Sequence, residues 1–138
     1  MRRISKQELL FELQTLTSDN PNNIQFDVDD IDTITSDVSK IYTMEFSVST
    51  SLVPAFHERV QAFNHNLKGM LCHFRITSDY DMSNVISIMD TIQQDLDDEI
   101  DTLFAISYIN DLPPSNMMMA VFITMPEKLV PVNNTYKI

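Results

Sequence analysis

The stretch Met117-Met118-Met119-Ala120-Val121-Phe122-Ile123-Thr124-Met125 is nearly all apolar and has the length of a β-strand. Strands that are covered on both faces read as continuous apolar runs, whereas strands with one wet face alternate. The run therefore predicts a central strand that is covered on both sides. Three methionines in succession also allow a second interpretation, in which flexible apolar side chains form an adaptable surface for a partner or a second copy.

The chain before this strand predicts further strands and helices in alternation. The strand-like segments are residues 41–48, 70–76 and 103–109, and the helix-like segments between them are residues 52–67 and 82–96. Asp81 can cap the second of these helices. Two β-α-β units followed by a hairpin predict an α+β fold with β-α-β-α-β-β order and a mixed four-stranded sheet with packed helices. Chorismate mutases belong to the same general topology class.

The N-terminal part predicts two helices outside this pattern. Leucines recur at helical spacing over residues 5–17, and a turn-forming cluster follows them. Acidic residues then crowd the start of a short second helix. We expect residues 1–22 to form a helix and turn, residues 23–126 the α+β domain, and residues 127–138 a short tail. The second face of the sheet needs cover, which either the N-terminal helix or dimerisation would supply.

Composition excludes several functions. The chain has 138 residues, with 9 basic and 20 acidic side chains and a net charge of −11, which disfavours nucleic acid and anionic membranes as partners. Gly69 is the single glycine, so the chain has no glycine-rich phosphate loop and no nucleotide site of that kind of its own. Cys72 is the single cysteine and no signal peptide or membrane span is evident, so we expect a cytoplasmic protein.

Metal and catalytic sites are not predicted either. The acidic run that begins at Asp27 lacks the glycine and the glutamate of an EF-hand loop. His57 and His65 are eight residues apart on one predicted helix, too far for one metal ion. Cys72 and His73 are neighbours in a predicted strand, so they point to opposite faces and cannot form a nucleophile–base pair.

Several segments resemble the tubulin/FtsZ family. Asn23-Ile24-Gln25-Phe26, with acidic residues after it, resembles the Asn-Leu-Asp-Phe-Ala-Asp loop that joins the family's long central helix to its C-terminal domain. Lys68-Gly69-Met70-Leu71 and Met119-Ala120-Val121-Phe122-Ile123-Thr124 resemble two strand segments that follow in the same order. The resemblance covers about residues 17–126. It implies the fold of the FtsZ C-terminal domain without the nucleotide-binding domain.

One departure from the family bears on function. In FtsZ, the two aspartates of this loop reach the nucleotide of the neighbouring subunit and help water to attack it. The matching positions here are Gln25 and Val28. A glutamine can orient water but cannot accept a proton as a carboxylate does, and a valine can do neither. The resemblance therefore implies a face that contacts another subunit without the hydrolytic chemistry.

We therefore predict a non-catalytic, cytoplasmic interaction module that resembles the FtsZ C-terminal domain and either modulates a cell-division or cytoskeletal polymer or self-associates. Its partner would be FtsZ or a second copy. The candidate contact residues are Asn23, Gln25, Phe26, Asp27, Asp29, Asp30, Met117, Met118 and Met119. Two alternatives stay open: an in-trans stimulator of an FtsZ-type GTPase, and a small-ligand-binding enzyme or sensor at a dimer cleft. No cofactor is expected.

Overall fold

The computed structural model describes residues 2–16, 19–36, 38–47, 58 and 67–126. The elements in chain order are β1 (Arg2–Ile4), α1 (Lys6–Leu16), α2 (Val28–Thr35), β2 (Val38–Ser47), β3 (Gly69–Ile76), α3 (Met82–Asp95), β4 (Asp101–Tyr108) and β5 (Met117–Pro126). The helix predicted over residues 52–67 falls almost wholly outside the described residues, and the tail 127–138 lies outside them entirely.

The strands form one mixed sheet in the order β1-β2-β5-β3-β4. Only β3 and β4 run parallel, and the other neighbours are antiparallel. The central position predicted for β5 is confirmed. Its register sets Phe122 between Thr43 of β2 and Leu71 of β3. The fold class is therefore a mixed α+β fold with five strands, and the described residues contribute three helices.

Two predictions about the sheet are wrong. The sheet has five strands rather than four, because Arg2–Ile4 adds to the outer edge of β2. A strand of three residues is too short to show an alternating pattern, so nothing local indicated it. The predicted hairpin of the last two strands is also absent, since β5 lies between β2 and β3 while β4 pairs with β3. The all-apolar β5 needs cover on both faces, whereas β4 begins with the exposed Asp101 and suits an edge.

Both faces of the sheet are covered, and alternate residues of β5 serve the two cores. Met117, Met119 and Val121 belong to the core on the α3 side. Ala120 and Phe122 belong to the core on the opposite side, where α1 and α2 pack. The N-terminal helices therefore supply the cover for the second face, with these buried residues: Leu9, Leu13, Ile31 and Ile34.

Side-chain caps explain where the helices begin. Before α1, the Ser5 Oγ accepts from the Glu8 backbone N–H while the Glu8 carboxylate accepts from the Ser5 N–H, a reciprocal capping box. Before α3, the Asp81 carboxylate accepts from the Ser83 N–H at 3.0 Å, as predicted. These contacts satisfy N–H groups that have no partner within the helix.

The close packing of α2 on β3 yields a prediction for Gly69. A Cβ there would lie 2.6 Å from Cγ2 and 2.9 Å from Cγ1 of Ile34, and 3.2 Å from the Asp101 carbonyl oxygen. Gly69→Ala is therefore expected to lower the free energy of unfolding by about 1–3 kcal/mol through overpacking. Urea denaturation should show a smaller cost in an Ile34→Ala background, which removes the clashing carbons. An equal cost in both backgrounds would contradict this packing.

Candidate interaction surface

The segment of residues 20–27 is hydrogen-bonded to the outer edge of β4 through Asn23 and Ile24. Ile24 and Ile106 exchange two backbone hydrogen bonds of 2.9 and 2.8 Å. One residue earlier, the Asn23 side-chain oxygen accepts from the Tyr108 backbone N–H at 2.9 Å. A turn at Asn20 closes the start of the segment, with its side-chain oxygen accepting from the Asn22 N–H. The predicted contact residue Asn23 therefore fixes the segment onto the sheet.

Phe26 is half-buried in the core beneath α1 and α2. Its ring lies edge-on against the His73 imidazole, with 6.0 Å between the centroids. Gln25, directly before it, is exposed. Phe26 therefore serves mainly to anchor the segment to the core, whereas the side chain of Gln25 faces solvent.

The three aspartates predicted as contact residues all lie at the start of α2. The Asp27 carboxylate accepts from the Asp29 backbone N–H at 2.8 Å and caps the helix. Asp29 and Asp30 are exposed in its first turn. Negative charge at a helix N-terminus is favourable to the helix, so these residues stabilise α2 and also make this end of it acidic.

Exposed apolar side chains stand among these polar residues. Ile24 is 54% exposed and Val28 is 69% exposed, and Leu10 of α1 is 46% exposed. Helical spacing places Val28 on one face with Ile31 and Ile34, yet only the latter two are buried. Val28 is the first residue of α2, directly after the cap, and the helix buries its face only from the next turn onward.

A groove of about 380 Å³ separates α1 from the segment that leads into α2. We call it the α1–α2 groove. Leu13, Phe26 and Ile31 contribute apolar side chains to it. Leu10, Gln14, Asp19 and Gln25 complete its lining. The groove is lined by residues of both the predicted loop and α1. The sequence did not predict that these two segments lie side by side.

The methionine strand is placed differently from the loop. Met117 and Met119 are fully buried on the α3 side of the sheet. Their burial corrects the prediction that they present a contact surface, because the central strand needs them as core. Met118 is partly exposed on the opposite face, where its sulfur lies 3.9 Å from an Arg75 guanidinium nitrogen. The sheet therefore separates Met117 and Met119 from the loop residues, while Met118 lies on the same face of the sheet as α1 and α2.

A buried histidine lies beneath Phe26. The His73 Nε2 lies 2.8 Å from the Ser107 hydroxyl oxygen, and its Nδ1 has no hydrogen-bond partner in the described part of the chain. Burial and then the positive charge of Arg75 lower the pKa of His73 to about 4. Cys72 points into the opposite core, where burial raises the pKa of its thiol. The pair is separated by the sheet, as the strand alternation predicts.

Two searches of the described residues found no site. No group of three or more His, Cys, Asp or Glu side chains in them is arranged to hold a metal ion. None of the helices that the structure describes combines the length and the apolar character needed to cross a membrane.

Comparison with known proteins gives matches in structure only. No protein-family model matches the sequence, and no curated protein matches it. An FtsZ dimer from M. jannaschii matches with a TM-score of 0.61 and 16% identity, over 83% of this chain and 34% of the FtsZ chain. A variant of M. jannaschii FtsZ matches with a TM-score of 0.58 and 13% identity, over 88% of this chain and 42% of the other.

A TubZ from Bacillus thuringiensis serovar israelensis, in GDP-form protofilaments, matches with a TM-score of 0.48 and 12% identity, over 80% of this chain and 33% of its own. At such identities the FtsZ matches show a shared fold, and this chain has a mixed α+β fold similar to part of FtsZ. It spans between about a third and two-fifths of the length of the FtsZ chains that it matches.

Proposed function

We propose that this chain is a non-catalytic protein-interaction module of the cytoplasm, with the fold of the FtsZ C-terminal domain, and that it contacts its partner through residues 23–30. The exposure of Ile24 and Val28 carries the proposal. Both belong to backbone that is fixed, by the pairing with β4 and by the capped start of α2. Rigid exposed apolar side chains with a polar rim are typical of contact surfaces between proteins.

The likeness to FtsZ supports the choice of this face. In the family that the sequence resembles, the equivalent loop faces the next subunit of the polymer. One of the matching structures is described as an FtsZ dimer. The proposed partner is therefore a subunit of an FtsZ-type polymer, with a second copy of this chain as the other possibility, and the proposed role is to modulate a division or cytoskeletal polymer.

The chemistry at the loop supports a non-catalytic role. Gln25 and Val28 stand where the family has its aspartates, and neither side chain can accept a proton from water. The Asp27 carboxylate is engaged in capping α2, and Asp29 lies one residue away from the position of the family's second aspartate. A binding role thus needs only what the loop displays, whereas stimulation of GTP hydrolysis would need a carboxylate at a position that differs from the family's.

The proposal predicts that Val28→Asp removes the effect of this chain on an FtsZ polymer. Light scattering of FtsZ with GTP should change when the native chain is added. The variant should lose that effect by about tenfold or more, since a charge replaces an apolar side chain at the contact. Ile86→Asp is the matched control, because Ile86 is 53% exposed but lies on α3, across the sheet.

Three outcomes separate the possibilities. A scattering change that Val28→Asp removes and Ile86→Asp retains supports the proposal with an FtsZ-type partner. A stable dimer that is indifferent to FtsZ and is broken by Val28→Asp supports self-association instead. A monomer with no effect on FtsZ contradicts both. Phosphate release, followed in the same samples, reports whether GTP turnover accelerates, which the non-catalytic role does not predict.

A further inference from the structure

The α1–α2 groove has an apolar floor and an acidic rim. Leu13, Phe26 and Ile31 lie along it, and none of the described residues that line it is basic. Asp19 is part of the lining, and Asp27 and Asp29 are exposed on the segment that continues from it. A partner that fills the groove therefore needs an apolar side chain at its centre and positive charge around it.

The basic residues Lys6 and Arg2, in and before α1, already form ion pairs with acidic residues. Lys6, in the first turn of α1, lies 3.7 Å from the Asp32 carboxylate on α2. Arg2, before α1, pairs with Glu8 and Glu12. These pairs lie outside the described residues that line the groove, and neither Asp19 nor Asp29 takes part in them.

The backbone around the groove favours contact through side chains. α1 and α2 form its walls, and their backbone groups are used within the helices. Ile24, next to the groove, already exchanges both of its backbone hydrogen bonds with Ile106. Adding a strand needs a row of free backbone donors and acceptors, whereas a helix docks by its side chains alone. The occupant is therefore better matched by a helix than by an extended strand.

The described helices of a second copy of this chain do not match such an occupant. α1 carries one basic residue, Lys6, and the sequences of α2 and α3 carry none. The net charge of −11 adds repulsion between two copies. Among the helices that the structure describes, none has the basic face that the groove would select, and the shared negative charge disfavours a second copy, so we assign the occupant to another protein.

We infer that the α1–α2 groove binds the apolar face of a basic amphipathic helix of a protein partner. The inference rests on the proposed function, since the groove includes Gln25 and Phe26 of the contact segment. It adds the chemistry of the partner: apolar side chains at helical spacing that reach Leu10 and the groove floor, with lysine or arginine on the flanks near Asp19 and Asp29.

A synthetic helix of leucine and lysine tests this inference by isothermal titration calorimetry with the whole chain. Binding is expected at low salt and should weaken at physiological salt, while a matched leucine–glutamate helix should not bind. Leu10→Ser is expected to weaken binding by about tenfold or more, because it removes apolar contact area. Ile86→Ser is the control, with a similarly exposed apolar side chain on α3.

A second variant acts through charge alone. Gln25 is exposed, so Gln25→Lys should leave the fold intact while it places positive charge at the groove. It should weaken binding of the leucine–lysine helix and reduce the salt dependence. Equal binding by the native chain, Leu10→Ser and Gln25→Lys would mean a diffuse attraction between opposite charges, and would overturn the inference.

The inference and the proposed function fail in different ways. If the basic helix does not bind but Val28→Asp still removes the effect on the polymer, the contact face is right and the partner's chemistry is wrong. If the helix binds at the groove and no effect on FtsZ or self-association is found, the groove stands and the FtsZ-type role falls.

Discussion

Leu9→Ala is expected to lower the free energy of unfolding by about 2–5 kcal/mol, as truncations of buried leucines do. Leu9 is 0% exposed and packs in the core shared by α1, α2 and the sheet. Truncation of the side chain leaves a cavity in this core, which also contains Phe122. A loss of this size is expected because α1 helps to cover one face of the sheet and is part of the core.

Leu10→Ala is the matched control for this prediction. It is the same substitution one residue along the same helix, but Leu10 is 46% exposed. The expected change is within about 0.5 kcal/mol. Urea denaturation of both variants, followed by circular dichroism, measures the difference. Equal and small effects would mean that α1 does not pack as described.

Acid is expected to destabilise the fold between pH 6.5 and pH 4 through His73. Its pKa is lowered from 6.5 to about 4 in the folded chain, first by burial and then by Arg75. In that interval the unfolded chain binds a proton that the folded chain does not, so stability falls as the pH is lowered. The full interval corresponds to about 3 kcal/mol, at roughly 1.4 kcal/mol per pKa unit.

His73→Gln tests the pH dependence. Glutamine does not titrate and can still reach the Ser107 hydroxyl, which lies 2.8 Å from the His73 Nε2 in the native chain. The free energy of unfolding, measured by urea at several pH values, should vary less between pH 6.5 and 4 in the variant. The other two histidines are unchanged and so cancel in the comparison. An unchanged pH profile would assign the acid sensitivity to other groups.

The carboxylate of Asp79 affects stability at lower pH, so its contribution can be distinguished from that of His73. Hydrogen bonds from Thr77 and Ser115 lower the pKa of Asp79 to about 2. Its contribution to stability is therefore present above its usual value of 3.8 and is lost as the pH falls toward 2. The pH interval in which His73 affects stability, from 6.5 to about 4, ends near the pH at which the effect of Asp79 begins.

The candidate site was predictable in part. The resemblance at Asn23-Ile24-Gln25-Phe26 located the segment, and the helix cap at Asp27 follows from local chemistry. The exposure of Val28 did not follow, because helical spacing alone groups it with the buried Ile31 and Ile34. The α1–α2 groove was also not predictable, since it depends on where α1 lies relative to the segment.

Apart from β1, the sequence by itself determined which of the described segments are strands and helices, and that β5 is central. These properties are local: an all-apolar run needs cover on both faces, and a capping side chain acts on N–H groups two or three residues away. Such properties can be predicted from a short segment without knowledge of the rest of the chain.

Only the tertiary structure decided the strand order, the added strand β1, and the cover of the second face by α1 and α2. Each depends on contacts between residues far apart in the chain, where several pairings satisfy the same local pattern. The separation of the buried Met117 and Met119 from the exposed Ile24 and Val28 is of this kind. All four are apolar, and which of them meets water is set by the elements that pack over them.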